Sequence, residues 1–117
     1  MAFNYFSKNG NILPIEQATV PLSNIEYAYG FGVYETIRAY NGKAHFLNEH
    51  INRLLESAKI IKLDHDFSYS FIEQSVLDLV KNSNSKAYNL KMLLIGGPTK
   101  EEAQIFIMCF NPLFTDK

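Results

Sequence analysis

Residues 29–54 read YGFGVYETIRAYNGKAHFLNEHINRL, a stretch whose periodicity changes once, from strand to helix. Gly30 and Gly32 frame its entry, and Val33 to Tyr40 carries the β-branched and aromatic residues of a strand. Asn41-Gly42 follows, two residues that tolerate the positive φ demanded by a type I′ turn. Lys43 to Phe46 then reads as the return strand of a hairpin. Beyond it Ile51, Leu54, Leu55, Ala58 and Ile61 recur at helical spacing and form one apolar stripe.

At roughly 100° per residue, Arg53 lies nearly opposite that stripe, with His50 and Ser57 on its flank. Such an arginine is either solvated or reserved for a ligand or another domain, and His50 shares the same polar surroundings. The strand also has two faces. Val33, Glu35, Ile37 and Ala39 alternate with Tyr34, Thr36, Arg38 and Tyr40. The second set, mixing aromatic, hydroxyl and guanidinium groups, suits a pocket wall for a polar substrate or a half-exposed sheet face with cross-strand packing.

Working outward toward the N-terminus, Ala2 to Phe6 and Asn11 to Ile15 read as strands joined by Asn9-Gly10. Pro14 implies that the second of them lies at an edge or ends early. Residues 16–26 read as loop and deliver the chain to Tyr27, Tyr29 and Phe31. Toward the C-terminus, Lys62 to Tyr69 is a connector. Ser70 and Glu73 have capping-box spacing, and Ile72, Val76, Leu79 and Val80 give a second helix its stripe. Tyr88 to Ile95 and Ala103 to Phe110 are apolar strands around a Gly96-Gly97-Pro98-Thr99 turn. That turn lacks the helix and Lys-Ser/Thr pair of a phosphate loop. The expected fold is α+β, one domain with an antiparallel sheet of about six strands and two helices packed against it.

Composition narrows the function. Hydrophobic residues make up 47% of the 117 and charged residues 20%, with a net charge of −1, so nothing favours nucleic acid or an anionic membrane. No apolar run approaches the length of a membrane span. The single cysteine, Cys109, excludes an internal disulfide and leads us to expect a reducing, cytoplasmic setting. Within IFIMCF it reads as a buried, inert thiol. His45, His50 and His65 are scattered without metal-ligand spacing.

The pattern YGxGVYETIRxYNG, a hairpin, and then EHxxRLxxSA, matched by Glu49, His50, Arg53, Leu54, Ser57 and Ala58, resembles the N-terminal domain of the fold-type IV enzymes. These enzymes use pyridoxal 5′-phosphate (PLP) and include branched-chain amino-acid aminotransferases, D-amino-acid aminotransferases and 4-amino-4-deoxychorismate lyases. The resemblance implies that Arg53 grips the cofactor phosphate and that Tyr34, Thr36 and Arg38 line the substrate pocket. It also implies that Tyr29 approaches the neighbouring subunit's site in a homodimer. It places the Schiff-base lysine in a second, C-terminal PLP domain, before which this sequence stops, so no catalytic residue is assigned to this chain. The expected activity of the complete enzyme is transamination between an amino acid and a 2-oxo acid, of branched-chain type. The alternatives are the D-amino-acid and lyase branches or a non-catalytic module.

The chain also departs from that pattern. Phe31 stands where many members carry Asp. Leu90 and Ile95 stand where the two subfamilies place their substrate-orienting arginines. Of the remaining cations, Arg38 shares a face with Tyr34 and is expected to be better placed than Lys91.

Overall fold

The computed structural model describes residues 3–19 and 31–111. Strands β1 (Tyr5–Lys8) and β2 (Asn11–Pro14) open the chain, followed by β3 (Gly32–Tyr40) and β4 (Lys43–Ala44). Helices α1 (Leu47–Ile60) and α2 (Tyr69–Lys81) come next, and β5 (Ala87–Ile95) and β6 (Gln104–Phe110) close the sheet. Among the described residues the six strands are antiparallel in the order β2-β1-β6-β5-β3-β4, so the expected α+β architecture stands. Both short hairpins turn on Asn-Gly, with φ 52° and 87° at Asn9 and Gly10, and 52° and 78° at Asn41 and Gly42. Strand β2 is an outer strand and ends at Pro14, which has no N–H to extend the ladder.

One face of the sheet carries both helices. Its cross-strand rows run Ile37–Leu90–Cys109 and Glu35–Met92–Ile107–Ser7, and onto them pack Ile51, Leu54 and Ala58 of α1 and Ile72, Val76 and Leu79 of α2. The opposite face is left open by the described residues of the helices. It presents Tyr34, Thr36, Arg38 and Tyr40 of β3, with Lys91 directly opposite Thr36. The burial alternation along β3 therefore divides the strand as its sequence does. Cys109 lies in the helix-covered core, and burial pushes its thiol up to about 12, in keeping with an inert group.

Two helix ends differ from expectation. Helix α2 is capped by Ser68, whose hydroxyl accepts the Phe71 N–H at 3.1 Å, and Ser70 lies inside the first turn. The capping-box spacing from Ser70 to Glu73 is thus incidental. Replacing Ser68 with alanine should cost about 1 kcal/mol of stability, whereas Ser70→Ala should cost almost nothing; urea denaturation of the two variants distinguishes them. Helix α1 ends in a Schellman motif. Lys62 N–H donates to the Lys59 carbonyl at 3.1 Å and Leu63 N–H to the Ala58 carbonyl at 2.8 Å, with Lys62 left-handed at φ 62°. This reversal buries Leu63 and leaves Ile61 40% exposed, so Ile61 is not part of the core stripe.

Candidate functional site

Glu35 is the one charged residue on the helix-facing side of β3, among Val33, Ile37 and Ala39. A carboxylate with only 12% side-chain exposure is costly unless paired. Its partners come from α1. Arg53 donates from Nε to both carboxylate oxygens at 3.0 and 3.1 Å, and from Nη2 to Oε1 at 3.0 Å. His50 Nδ1 lies 2.7 Å from Oε1. A carboxylate oxygen only accepts, so the His50 proton sits on Nδ1 in this contact. Arg53 leaves the helix away from the core, as its angle dictates, then folds back past His50 to reach the strand. Its side chain stays 64% exposed.

Burial would raise the Glu35 carboxyl, but hydrogen bonds from Arg53 and His50, helped by their charges, outweigh it and hold the group below its ordinary value. The Arg53 guanidinium is correspondingly raised by its hydrogen bond to Glu35. A depressed carboxyl stabilises the fold fully above its unfolded value and loses that contribution as pH falls through the folded value. Glu35→Gln should therefore be less stable than the parent at neutral pH, with the gap closing in acid below the ordinary value of 4.5. Thermal melts of both proteins across that range measure it.

On the open face Tyr34 is 61% exposed, and the Lys91 ammonium lies 4.6 Å from its ring centroid. This corrects the expected ranking of cations. Lys91 shares the face of Tyr34, Thr36 and Arg38, while Leu90 is fully buried under the helices. Parity turns Leu90 away, not Lys91. Tyr29 lies outside the described residues. Arg53 and the Tyr34–Thr36–Arg38 row sit on opposite faces of β3. They are related around the strand's outer edge, because β4 pairs only with Ala39 and Tyr40. Neither a small cavity of about 50 Å³ beside Leu79 and Cys109 nor an open depression of about 620 Å³ beside Lys59 and Lys62 includes these residues. Among the described residues they form a wall and an edge. Among the described residues no group of side chains could hold a metal ion, and no helix is long and apolar enough to cross a membrane.

The family profile described as "Amino-transferase class IV" matches residues 32–116, which include β3, α1 and the whole Glu35–His50–Arg53 cluster. The chain belongs to the class IV aminotransferases. Among the curated class IV relatives, a D-alanine aminotransferase of Listeria monocytogenes is 36% identical over 89 residues, 76% of this chain and 31% of the relative. A solved branched-chain amino acid aminotransferase from Thermobaculum terrenum, an M4 mutant, superposes with a TM-score of 0.81 at 27% identity, over 95% of this chain and 39% of that one. The branched-chain aminotransferase of the archaeon Thermoproteus uzoniensis, solved with norvaline, gives 0.77 at 27% identity, over 92% and 40%. This class IV chain thus spans about a third of the length of the curated relatives it matches.

The Glu35 pairing was the functional feature missed from sequence. A signal existed: a charged residue on an inward-facing strand position requires a partner, and the chain holds only two arginines, one on the same strand's other face and one on the next helix.

Proposed function

We propose that this chain is the small, N-terminal domain of a PLP-dependent transaminase acting on amino acids, of branched-chain type. The observation that supports it best is the Arg53 guanidinium, fixed along its Nε edge by Glu35 yet 64% exposed, with no described hydrogen bond at Nη1. A planar, permanently charged donor fork held this way fits a phosphate. The cofactor that the family implies is therefore compatible with the residues present, and Arg53 would hold it by that group. PLP, when bound, supplies the electron sink for chemistry at the amino acid's α carbon.

The lysine that such a cofactor needs is a buried or otherwise activated amine. Every described lysine here is exposed or half-buried, so we assign that role to a C-terminal PLP domain. The open face of β3 and β5 would supply one wall of the substrate site. Tyr34 offers an apolar ring, Thr36 a hydroxyl, and Arg38 and Lys91 cations for carboxylates of the amino acid and 2-oxo acid. The aliphatic reading draws support from the Thermoproteus enzyme's complex with norvaline. We further assign the complete enzyme to the cytoplasm and to a homodimer.

One observation favours a second reading, transamination of D-amino acids: the D-alanine aminotransferases are 32–38% identical, above the 27% of those two branched-chain structures. The lyase branch shares the scaffold. The test is a half-reaction on the complete enzyme, adding leucine, glutamate, D-alanine or aminodeoxychorismate singly and recording which converts the cofactor to its amine form. Reaction with leucine and glutamate supports the proposal. D-Alanine alone, or pyruvate released from aminodeoxychorismate, moves the assignment to a sister activity.

A further inference from the structure

We infer that Glu35 is the positioning residue of the phosphate grip, aiming the Arg53 guanidinium at the cofactor phosphate from behind. This rests on the assignment of Arg53 to that phosphate. Three features carry it. First, Glu35 is anchored. It projects from the middle of a nine-residue strand, is 12% exposed, and receives a second hydrogen bond at 2.7 Å from His50 Nδ1. Second, the contact is specific to one edge of the guanidinium, since the bonds come from Nε and Nη2 and none from Nη1. Because the guanidinium is rigid and planar, fixing the Nε edge also fixes the direction of the Nη1/Nη2 fork. Third, Arg53 is 64% exposed and lies outside the core stripe, so packing does not restrict it. Without Glu35 this long side chain would sample many rotamers, and ordering it on binding would weaken affinity.

A competing effect has the opposite sign. Glu35 is negative and partly offsets the charge that attracts a phosphate dianion. If charge dominated, Glu35→Gln would bind phosphate more tightly. If orientation dominates, as the one-edged contact indicates, the same variant binds more weakly. An amide also supplies one acceptor oxygen where the carboxylate supplies two, so it cannot accept all of the Arg53 bonds.

The experiment uses the complete enzyme stripped of cofactor. Dissociation constants are measured for pyridoxamine 5′-phosphate, which binds without the lysine linkage, and for pyridoxamine, which lacks the phosphate. Glu35→Gln is expected to weaken the phosphorylated ligand about tenfold and leave pyridoxamine unchanged, and adding Glu35→Gln to Arg53→Ala should cost nothing further. Glu35→Asp keeps the charge but withdraws the carboxylate by one methylene, and should also weaken the phosphorylated ligand; it serves in place of Glu35→Gln should that variant fail to fold. Unchanged or tighter binding by the Glu35 variants, while Arg53→Ala loses affinity, overturns the inference and spares the assignment of Arg53. Equal weakening of both ligands, or a Glu35 cost that persists without Arg53, shows an effect on the fold and also overturns it. If Arg53→Ala itself binds normally, the assignment fails and the inference with it.

Discussion

Arg53→Ala in the complete enzyme is expected to weaken cofactor binding by on the order of ten- to a hundredfold, the usual loss for charge-assisted hydrogen bonds to an anion. Arg53→Lys should recover only part. An ammonium is a point charge, and it cannot occupy the Nε contact to Glu35 and present a two-pronged donor to phosphate at once. Some loss of stability should accompany Arg53→Ala, since the substitution leaves the 12%-exposed Glu35 carboxylate with His50 alone of its two described partners. Titration of the cofactor-free variants with pyridoxamine 5′-phosphate measures the loss of affinity, and unchanged binding of pyridoxamine, which lacks the phosphate, establishes that it arises at the site.

The second large effect is on stability. Leu54, next to Arg53 in the chain, has no exposed surface and packs in the core between α1 and the sheet. Leu54→Ala should cost about 2–5 kcal/mol, the sum of lost transfer energy and the cavity left behind. Ile61→Ala should cost less than about 1 kcal/mol, since Ile61 is 40% exposed beyond the end of the helix. Urea denaturation of both variants measures this, through midpoint shifts at an unchanged slope. Comparable losses would mean that the helix continues past Ile60 and that the Schellman ending is absent.

These two residues show what was legible in the sequence. Strand β3, its turn and the stripe of α1 could be read because each is a local rule. Asn-Gly accepts positive φ at both turns, and Ile51, Leu54 and Ala58 repeat every three to four residues. The membership in the family was legible because those elements carry side chains at fixed spacing. Helix ends were less so. Glycine usually marks a left-handed C-terminal residue, but here Lys62 adopts that conformation at φ 62°, and nothing local distinguishes it from an ordinary solvated lysine. Ser68 and Ser70 are both plausible caps. Only the path of the chain into α2 chooses between them.

The residues of the candidate site could be named from the sequence, but not their connections. Arg53, Tyr34, Thr36 and Arg38 could be named individually, yet which faces they share depends on strand pairing. The register that sets Lys91 opposite Thr36 and above the Tyr34 ring is a long-range property of β3 and β5. The same applies to Glu35 and Arg53, 18 residues apart and joined by three hydrogen bonds. Sequence showed an outward-pointing arginine; only the packing of α1 on β3 showed that half of its donor edge is already in use.

The most direct test is a crystal structure of the complete enzyme with pyridoxal 5′-phosphate bound. The expected result is a phosphate within hydrogen-bond distance of the Arg53 Nη1/Nη2 fork, with Glu35 still bound along the Nε edge. A phosphate held entirely by other residues, with the Arg53 guanidinium turned to solvent, would contradict the account.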